Sequence, residues 1–520
     1  MTIKYAKELY KFILLITLFI FIISCTQQFS RVNHSYEPLS IADRYSDDYQ
    51  IHNLECAESN VKTWAKVFGG HGVDKAESIQ QTPDGGYVLA GYSNSGPTDS
   101  AGEKQYDVLL FKVDDEGNTL WEKIYGGSRL DYPRSMEKTD DGGFILGGET
   151  NSLPGGTAYL IKTDADGNLQ WEKNFDICGD ALQGRDTIMS VRQTMDGGYI
   201  ASGWATSCES STEYNFLLKT DAKGNKVWET DYAFWREIFI DTTGRNSVIQ
   251  TADGGYAVLG YVNHYIPGKV SGKNIYLMKA DSEGKILWNN TLERTDRINQ
   301  TALTGHGPEE YGWSEWTEAN SFQETADGSY ILGGGTGGLD AVGGIFLVKV
   351  DASGNKVWDK VISEDSFQGG VFSIKQTSDG GYFLIGYGSV GGGYENRVVI
   401  IGDKVVLDNG LTLYLLKTDA DGNIESETFG RQLYGGNMPI QQTSDGGYIS
   451  AETVVTRLGA TQEANTTDIL VMKMNEDGIV CNLAYGQPCT LVPEPRWVSD
   501  PACRDVVYDE EYINNPYVPK

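Results

Sequence analysis

An all-β fold of repeated four-stranded antiparallel sheets follows from three observations on this chain of 520 residues. The first is a T-x-D-G-G turn between two apolar runs, as in SIQQTPDGGYVLAGY at 78–92. It returns at 138–144, 193–199, 250–256, 324–330, 376–382 and 442–448, making seven copies. The second is a turn of the form K-x-D-x-x-G-N-x-x-W, first at 112–121. Copies or variants of it follow at 162–171, 219–228, 279–288, 349–358, 417–426 and 473–482. The third is their strict alternation, with a period of roughly 50 to 75 residues. Glycine takes a positive φ without a Cβ clash, so both turns read as tight hairpins. Two hairpins per unit and seven units predict a seven-bladed β-propeller.

Each strand has a place. SIQQT is the innermost strand of its blade and YVLAGY the second. DVLLFKVD is the third, and its apolar run suits a sheet covered on both faces. TLWEKIYGG is the outermost. Gly91, Gly148, Gly203, Gly260, Gly334 and Gly386 recur four residues after the turn aromatic. They are expected to let the backbones of packed sheets approach closely. Glu452 breaks that series. Trp121, Trp171, Trp228, Trp288 and Trp358 recur once per blade and are expected to pack between neighbouring blades. Ser426 takes that place in the sixth unit, which should weaken one joint.

The folded part opens at Trp64 in WAKVFGG, which matches the end of a unit. The last unit has Asn482 where the tryptophan belongs. The Trp64 strand is therefore expected to complete the last sheet and close the ring.

Ahead of the repeats lies a targeting segment. Lys4, Lys7 and Lys11 form a basic start, and 12–23 is a stretch of twelve residues that is apolar but for Thr17. That is too short to span a bilayer and fits a signal peptide. It ends Ser24-Cys25, which resembles the lipobox of bacterial lipoproteins. The resemblance implies cleavage before Cys25 and a lipid on that residue. Residues 1–24 are then the signal peptide and 25–60 a lipidated tether. Residues 61–480 form the propeller and 481–520 a cysteine-containing tail. Cys56, Cys178, Cys208, Cys481, Cys489 and Cys503 remain, an even number in an exported chain. Cys178–Cys208 is the expected bond, because both lie in loops on one face of adjacent blades. Cys481–Cys489 and Cys56–Cys503 are the further pairings considered.

Net charge is −30, and removing 1–24, with three Lys and one Glu, makes the mature chain more acidic still. Such a chain repels nucleic acid and anionic lipid. Contact with a membrane is expected through the lipid anchor only, and the chain reads as a monomer. None of the five His stands in HExxH, and no zinc spacing, nucleophile elbow, phosphate loop or dinucleotide fingerprint occurs. DADGN at 164–168 and 419–423 resembles the start of a calcium loop. Position twelve is Phe175 or Gly430 in place of the required Glu. It reads as a turn held by its Asp and Asn side chains. No catalytic residue, metal or cofactor is assigned.

Loop length is asymmetric. Both repeated turns sit at one end of the blades and are short. The other connections share the opposite end and are long and different in every copy. An extra hairpin is expected within 388–411, RVVIIGDKVVLDNG. Variable loops on a rigid scaffold are where function concentrates. Trp204, Trp235, Tyr265, Trp313 and Trp316 lie on or beside that end. They are the candidate ligand-binding residues, since aromatic faces in polar loops suit sugar rings or protein partners.

The repeated units resemble those of secreted bacterial and archaeal β-propeller repeat proteins over roughly residues 61–480. The second turn also resembles the tryptophan-docking repeat of quinoprotein propellers and of the outer-membrane assembly lipoprotein. Its turn here is one residue shorter, and Thr or Val stands where Ala precedes Asp, except at Ala280. No quinone-binding residue is carried over. The reading is a lipid-anchored envelope protein of the outer membrane, facing the periplasm or the surface. It presents its long-loop end to a glycan or protein. The alternatives are a carboxylate-based hydrolase or lyase on the same end, or an assembly scaffold.

Overall fold

The computed structural model describes residues 61–70, 72–94, 105–127, 130–151, 157–177, 186–206, 213–234, 238–239, 248–264, 272–292, 316–337, 344–362, 367–390, 397–401, 404–408, 411–433, 439–457, 466–476 and 489–490. The chain divides into Met1–Glu55 and Cys56–Lys520, and all described residues belong to the second unit.

The protein is a seven-bladed β-propeller, with no helix among the described residues. Blade 1 shows the plan: Asp74–Gln81, Tyr87–Ser93, Asp107–Val113 and Thr119–Tyr125 pair antiparallel in that order. Blade 2 repeats it with Asp131–Lys138, Phe144–Thr150, Thr157–Thr163 and Leu169–Phe175. The seventh sheet consists of Ile440–Gln442, Tyr448–Arg457, Thr466–Met474 and, as its fourth strand, Trp64–Phe68. The middle strands are buried on both faces, as Phe144–Thr150 and Thr157–Thr163 are throughout. The fourth strand exposes alternate residues to solvent, including Leu120 and Ile124.

The first repeated turn is built alike in all seven blades and the second in blades 1 to 6. In the first, Thr82 N donates to Gly86 O and Gly85 N to Thr82 O, with Gly85 at φ 87°. In the second, Asp164 Oδ1 accepts from Asp166 N and Asn168 N, while Asn168 Nδ2 donates to Asp164 Oδ2. Asp419 and Asn423 do the same. The carboxylate is spent on its own turn, as expected for a side-chain-stabilised hairpin.

Tryptophan joins the blades. The ring of Trp171 lies on Gly224 of the next blade and 5.7 Å from Tyr199, edge to face. Trp228 and Trp288 meet Tyr256 and Tyr330 in the same way, at 5.7 and 6.0 Å, and Trp358 meets Tyr382 at 6.2 Å with the rings tilted by 58°. Where Ser426 replaces the tryptophan, Phe383 stacks on Tyr448 at 6.1 Å with 12° between the rings. Aromatic area lost from one strand is thus partly restored from another.

One expectation needs correcting. The repeated glycines approach a backbone of their own sheet, not that of a neighbouring one. A Cβ on Gly91 would overlap the carbonyl of Lys75, and one on Gly148 the carbonyl of Tyr132. These carbonyls stand next to β-bulges in the innermost strand, between Ala76 and Ser78 and between Pro133 and Ser135. The bulge turns the strand backbone toward the second strand, and only glycine leaves room. In blade 7 the innermost strand is paired over Ile440–Gln442, and the residues that would stand opposite Glu452 lie outside the described residues.

Arg397–Ile401 and Lys404–Asp408 pair as the extra hairpin. Cys489–Thr490, from the C-terminal tail, adds to it opposite Arg397 and Val398.

Candidate functional site

The bulges decide what the connection end presents. In blade 2 the innermost strand reads Asp131-Tyr132-Pro133-Arg134-Ser135, with Arg134 in the bulge. Proline is tolerated there because a bulge releases one ladder hydrogen bond. The Arg134 Nη2 donates to Glu149 Oε1 at 2.7 Å. The other Glu149 oxygen accepts from Thr187 Oγ1 of blade 3 at 3.0 Å. Glu149 is 1% exposed, so this ion pair lies half in and half out of water. It ties blades 2 and 3 together and fixes the guanidinium.

Three tyrosines cluster together beside the guanidinium, which lies over one of them, Tyr132. Tyr132 opens the innermost strand of blade 2. Tyr92 ends the second strand of blade 1, and Tyr106 precedes its third strand. Tyr92 meets Tyr132 at 4.9 Å and 86°, and Tyr106 at 5.5 Å and 81°. Tyr106 and Tyr132 lie 5.6 Å apart. Arg134 sits over the Tyr132 ring at 5.5 Å, and Lys75 Nζ over Tyr92 at 5.8 Å. Tyr92 is nearly buried, while Tyr106 and Tyr132 are half-buried and keep part of their surface open. Burial, then the nearby Glu77 carboxylate, pushes the Tyr92 hydroxyl well above its usual range. Burial also raises Tyr106. Both stay neutral donors at any physiological pH. The cluster therefore offers ring faces, neutral hydroxyls and two cations in one place.

The expected aromatics fall differently. Trp204 lies two residues before the end of the second strand of blade 3, opposite Thr187 and Asn215, half-buried against the apolar layer between blades 3 and 4. Trp316 begins the innermost strand of blade 5 and bridges to Lys273 of blade 4. Trp235, Tyr265 and Trp313 lie outside the described residues, as do Cys25, Cys56, Cys178, Cys208, Cys481 and Cys503. Cys489 is placed by its backbone alone. The tyrosine cluster was missed in the sequence because its members are spread over 92, 106 and 132. The only signal was a tyrosine at three strand ends in adjacent units.

Comparison with known proteins adds a fold-level likeness. No protein-family model matches the chain, and no curated protein does. Among solved structures, the chain resembles a fungal alcohol oxidase bound to copper, at 13% identity and a TM-score of 0.44, covering 80% of this chain and 77% of that one. It also resembles polysaccharide lyase Uly1, at 9% and 0.44, covering 84% and 96%. A third is an α-L-arabinanase of Penicillium chrysogenum in complex with arabinobiose, at 11% and 0.39, covering 78% and 98%. Likeness at this level carries no argument about activity.

Proposed function

We propose that this protein is a lipid-anchored binding module of the bacterial envelope whose connection end takes a glycan. The observation that carries the reading is the Tyr92–Tyr106–Tyr132 cluster with Lys75 and Arg134 over its rings. Sugar rings present C–H faces that pack on aromatic rings, and their hydroxyls bond to fixed polar groups. Arg134 is held in place by Glu149, so its donors cost little entropy to order on binding.

The purified protein should bind at least one member of a panel of neutral and acidic polysaccharides in affinity electrophoresis or calorimetry. Tyr132→Ala should weaken that binding about tenfold or more, which is about 1.4 kcal/mol. Wild-type affinity in Tyr132→Ala would move the site elsewhere. Shortened chains in the same assay would assign a hydrolase or lyase instead. The anchor rests on Ser24-Cys25 after a stretch of twelve residues, 12–23, that is apolar but for Thr17. Cys25→Ala should leave full-length precursor with no incorporated lipid label, and labelling of that variant at the wild-type level would refute the anchor.

A further inference from the structure

A cavity of about 130 Å³ lies at the joint of blades 1 and 2. Its polar lining comes from Tyr125, Asp131, Thr150, Tyr159, Glu172 and Asn174. Three observations bear on what it holds.

The first is Tyr159. The residue is 2% exposed, and its hydroxyl has no hydrogen-bond partner. Buried hydroxyls are almost always bonded, and an exception points to a missing partner. Among the charged groups acting on it, the Asp131 carboxylate is the strongest, the Arg134 guanidinium acts the other way, and Glu149 and Glu172 follow.

The second is the convergence of carboxylates. Asp131 is 4% exposed and accepts from Gly127 N at 2.8 Å. Asp107 approaches it across Gly126, where a Cβ would collide with Asp107 Oδ1 and lie 3.0 Å from Asp131 Oδ2. Only glycine lets the two carboxylates face one another there. Asp107 Oδ1 is itself buried with no hydrogen-bond partner. Burial and then Asp131 raise both Glu172 and Asp107. No described cation pairs with Glu172 or Asp107.

The third is an internal control. Blade 6 carries the same pair at the same register: Tyr414, and Glu427 opposite Leu416, match Tyr159, and Glu172 opposite Ile161. In blade 6 the pair closes on itself, Tyr414 donating to Glu427 Oε2 at 2.6 Å. In blade 2 the two side chains line the cavity instead.

We propose that this cavity is a binding site for a hard divalent cation, Ca²⁺, with Asp131 and Glu172 as its carboxylate ligands. The Tyr159 and Thr150 hydroxyls are further oxygen donors, Asp107 adds negative charge beside it, and water completes the shell. Every candidate ligand atom is oxygen, which selects calcium over softer metals. Among the described residues no three His, Cys, Asp or Glu side chains are set to hold an ion together. Two carboxylates with water suit the weak class of extracellular calcium sites, with Kd about 10⁻⁴ to 10⁻³ M. The cavity has room for an ion with several waters.

The test is calcium titration of the purified, chelator-treated protein by calorimetry and thermal unfolding. Wild type should bind calcium in that range and melt higher with it. Glu172→Gln should lose one equivalent of binding, or weaken it at least tenfold. It should also melt above wild type in the absence of calcium, because the repulsion from Asp131 is gone. Asp131→Asn, which can still accept from Gly127 N, should lose the same equivalent. Calcium binding at some other acidic loop would persist in both variants, so the difference from wild type is the readout. Equal calcium response in wild type and both variants, or none in wild type, overturns the site.

Discussion

Seven lysines hold seven turns. The lysine that opens each K-x-D turn pairs with the aspartate of its own T-x-D-G-G turn: Lys162 with Asp141 at 2.8 Å, Lys219 with Asp196 at 2.9 Å, Lys279 with Asp253 at 2.9 Å, and likewise in the other four blades. The threonine of the same turn donates to the same aspartate, as Thr251 does to Asp253 Oδ1 at 2.7 Å. The ammonium of Lys279 is nearly buried while Asp253 stays 62% exposed. The Thr251 hydroxyl and the Lys279 ammonium hold Asp253 down at about 2, and the Lys112 ammonium with the Thr82 hydroxyl holds Asp84 at about 2. An aspartate lowered in the folded state contributes stability that is complete above its unfolded pKa near 4. That contribution is lost as pH falls through the folded value. Asp253→Asn leaves Lys279 buried without its carboxylate. The expected cost at pH 7 is about 1–2 kcal/mol, kept small because solvent screens the exposed aspartate. Urea unfolding should show the gap between wild type and variant shrinking from pH 4 to pH 2. A gap independent of pH would mean that the pair contributes no charge-dependent stability.

At the scale of the element, what was legible depended on whether the physical demand sits within one unit. The turns were legible because a left-handed residue must be glycine: Gly85, Gly142 and Gly197 at φ 87°, 83° and 79° appear in the chain as written. The tryptophans were legible because they repeat. The contacts between inner strands were not, since each links residues about a whole unit apart. Gln193 Oε1 accepts from Asp140 N of the preceding blade, Gln250 Oε1 from Met195 N, and Gln376 Oε1 from Ala326 N. In return Glu137 Oε2 accepts from Gln193 N, and Gln323 Oε1 from Gln376 N. At one joint the donor position is Pro83, which has no N–H, and the residue in the glutamine's place is Lys138, which has no acceptor. Donor and acceptor are missing together, a match that only the stagger of neighbouring blades reveals. The lysine–aspartate pair was also in plain view in all seven units. Two separate hairpins give no sign of the contact itself; it forms because the second and third strands place the two turns side by side. The candidate site was the least legible part, since it arises from non-repeated residues at strand ends.

At the scale of the whole molecule, the first described strand meets the third strand of blade 7. Trp64–Phe68 is antiparallel to Ile469–Lys473, so blade 7 takes its fourth strand from the other end of the chain. The same strand reaches blade 1: Trp64 Nε1 donates to Asp115 O at 2.8 Å, and its ring lies on Gly117 and 6.2 Å from Tyr87. Gln81 N donates to Gln441 Oε1 and Ser444 N to Gln81 Oε1, so the inner strands clasp as at the other joints. This joint adjoins blade 1, which carries Tyr92, Tyr106 and Lys75, so loosening it should disturb the candidate site as well. Removing residues 61–70 strips both partners of one strand, whereas removing 26–50 touches none of these contacts. The first deletion should lower unfolding stability by several kcal/mol, from apolar area at about 25 cal/mol per Å². Trp64→Ala alone should cost about 2–4 kcal/mol, as a partly buried tryptophan does. Glycan affinity should fall with the first deletion and hold with the second. Equal melting midpoints for the two deletions would show that the ring is held shut without this strand, and that the inner-strand clasp between blades 7 and 1 suffices.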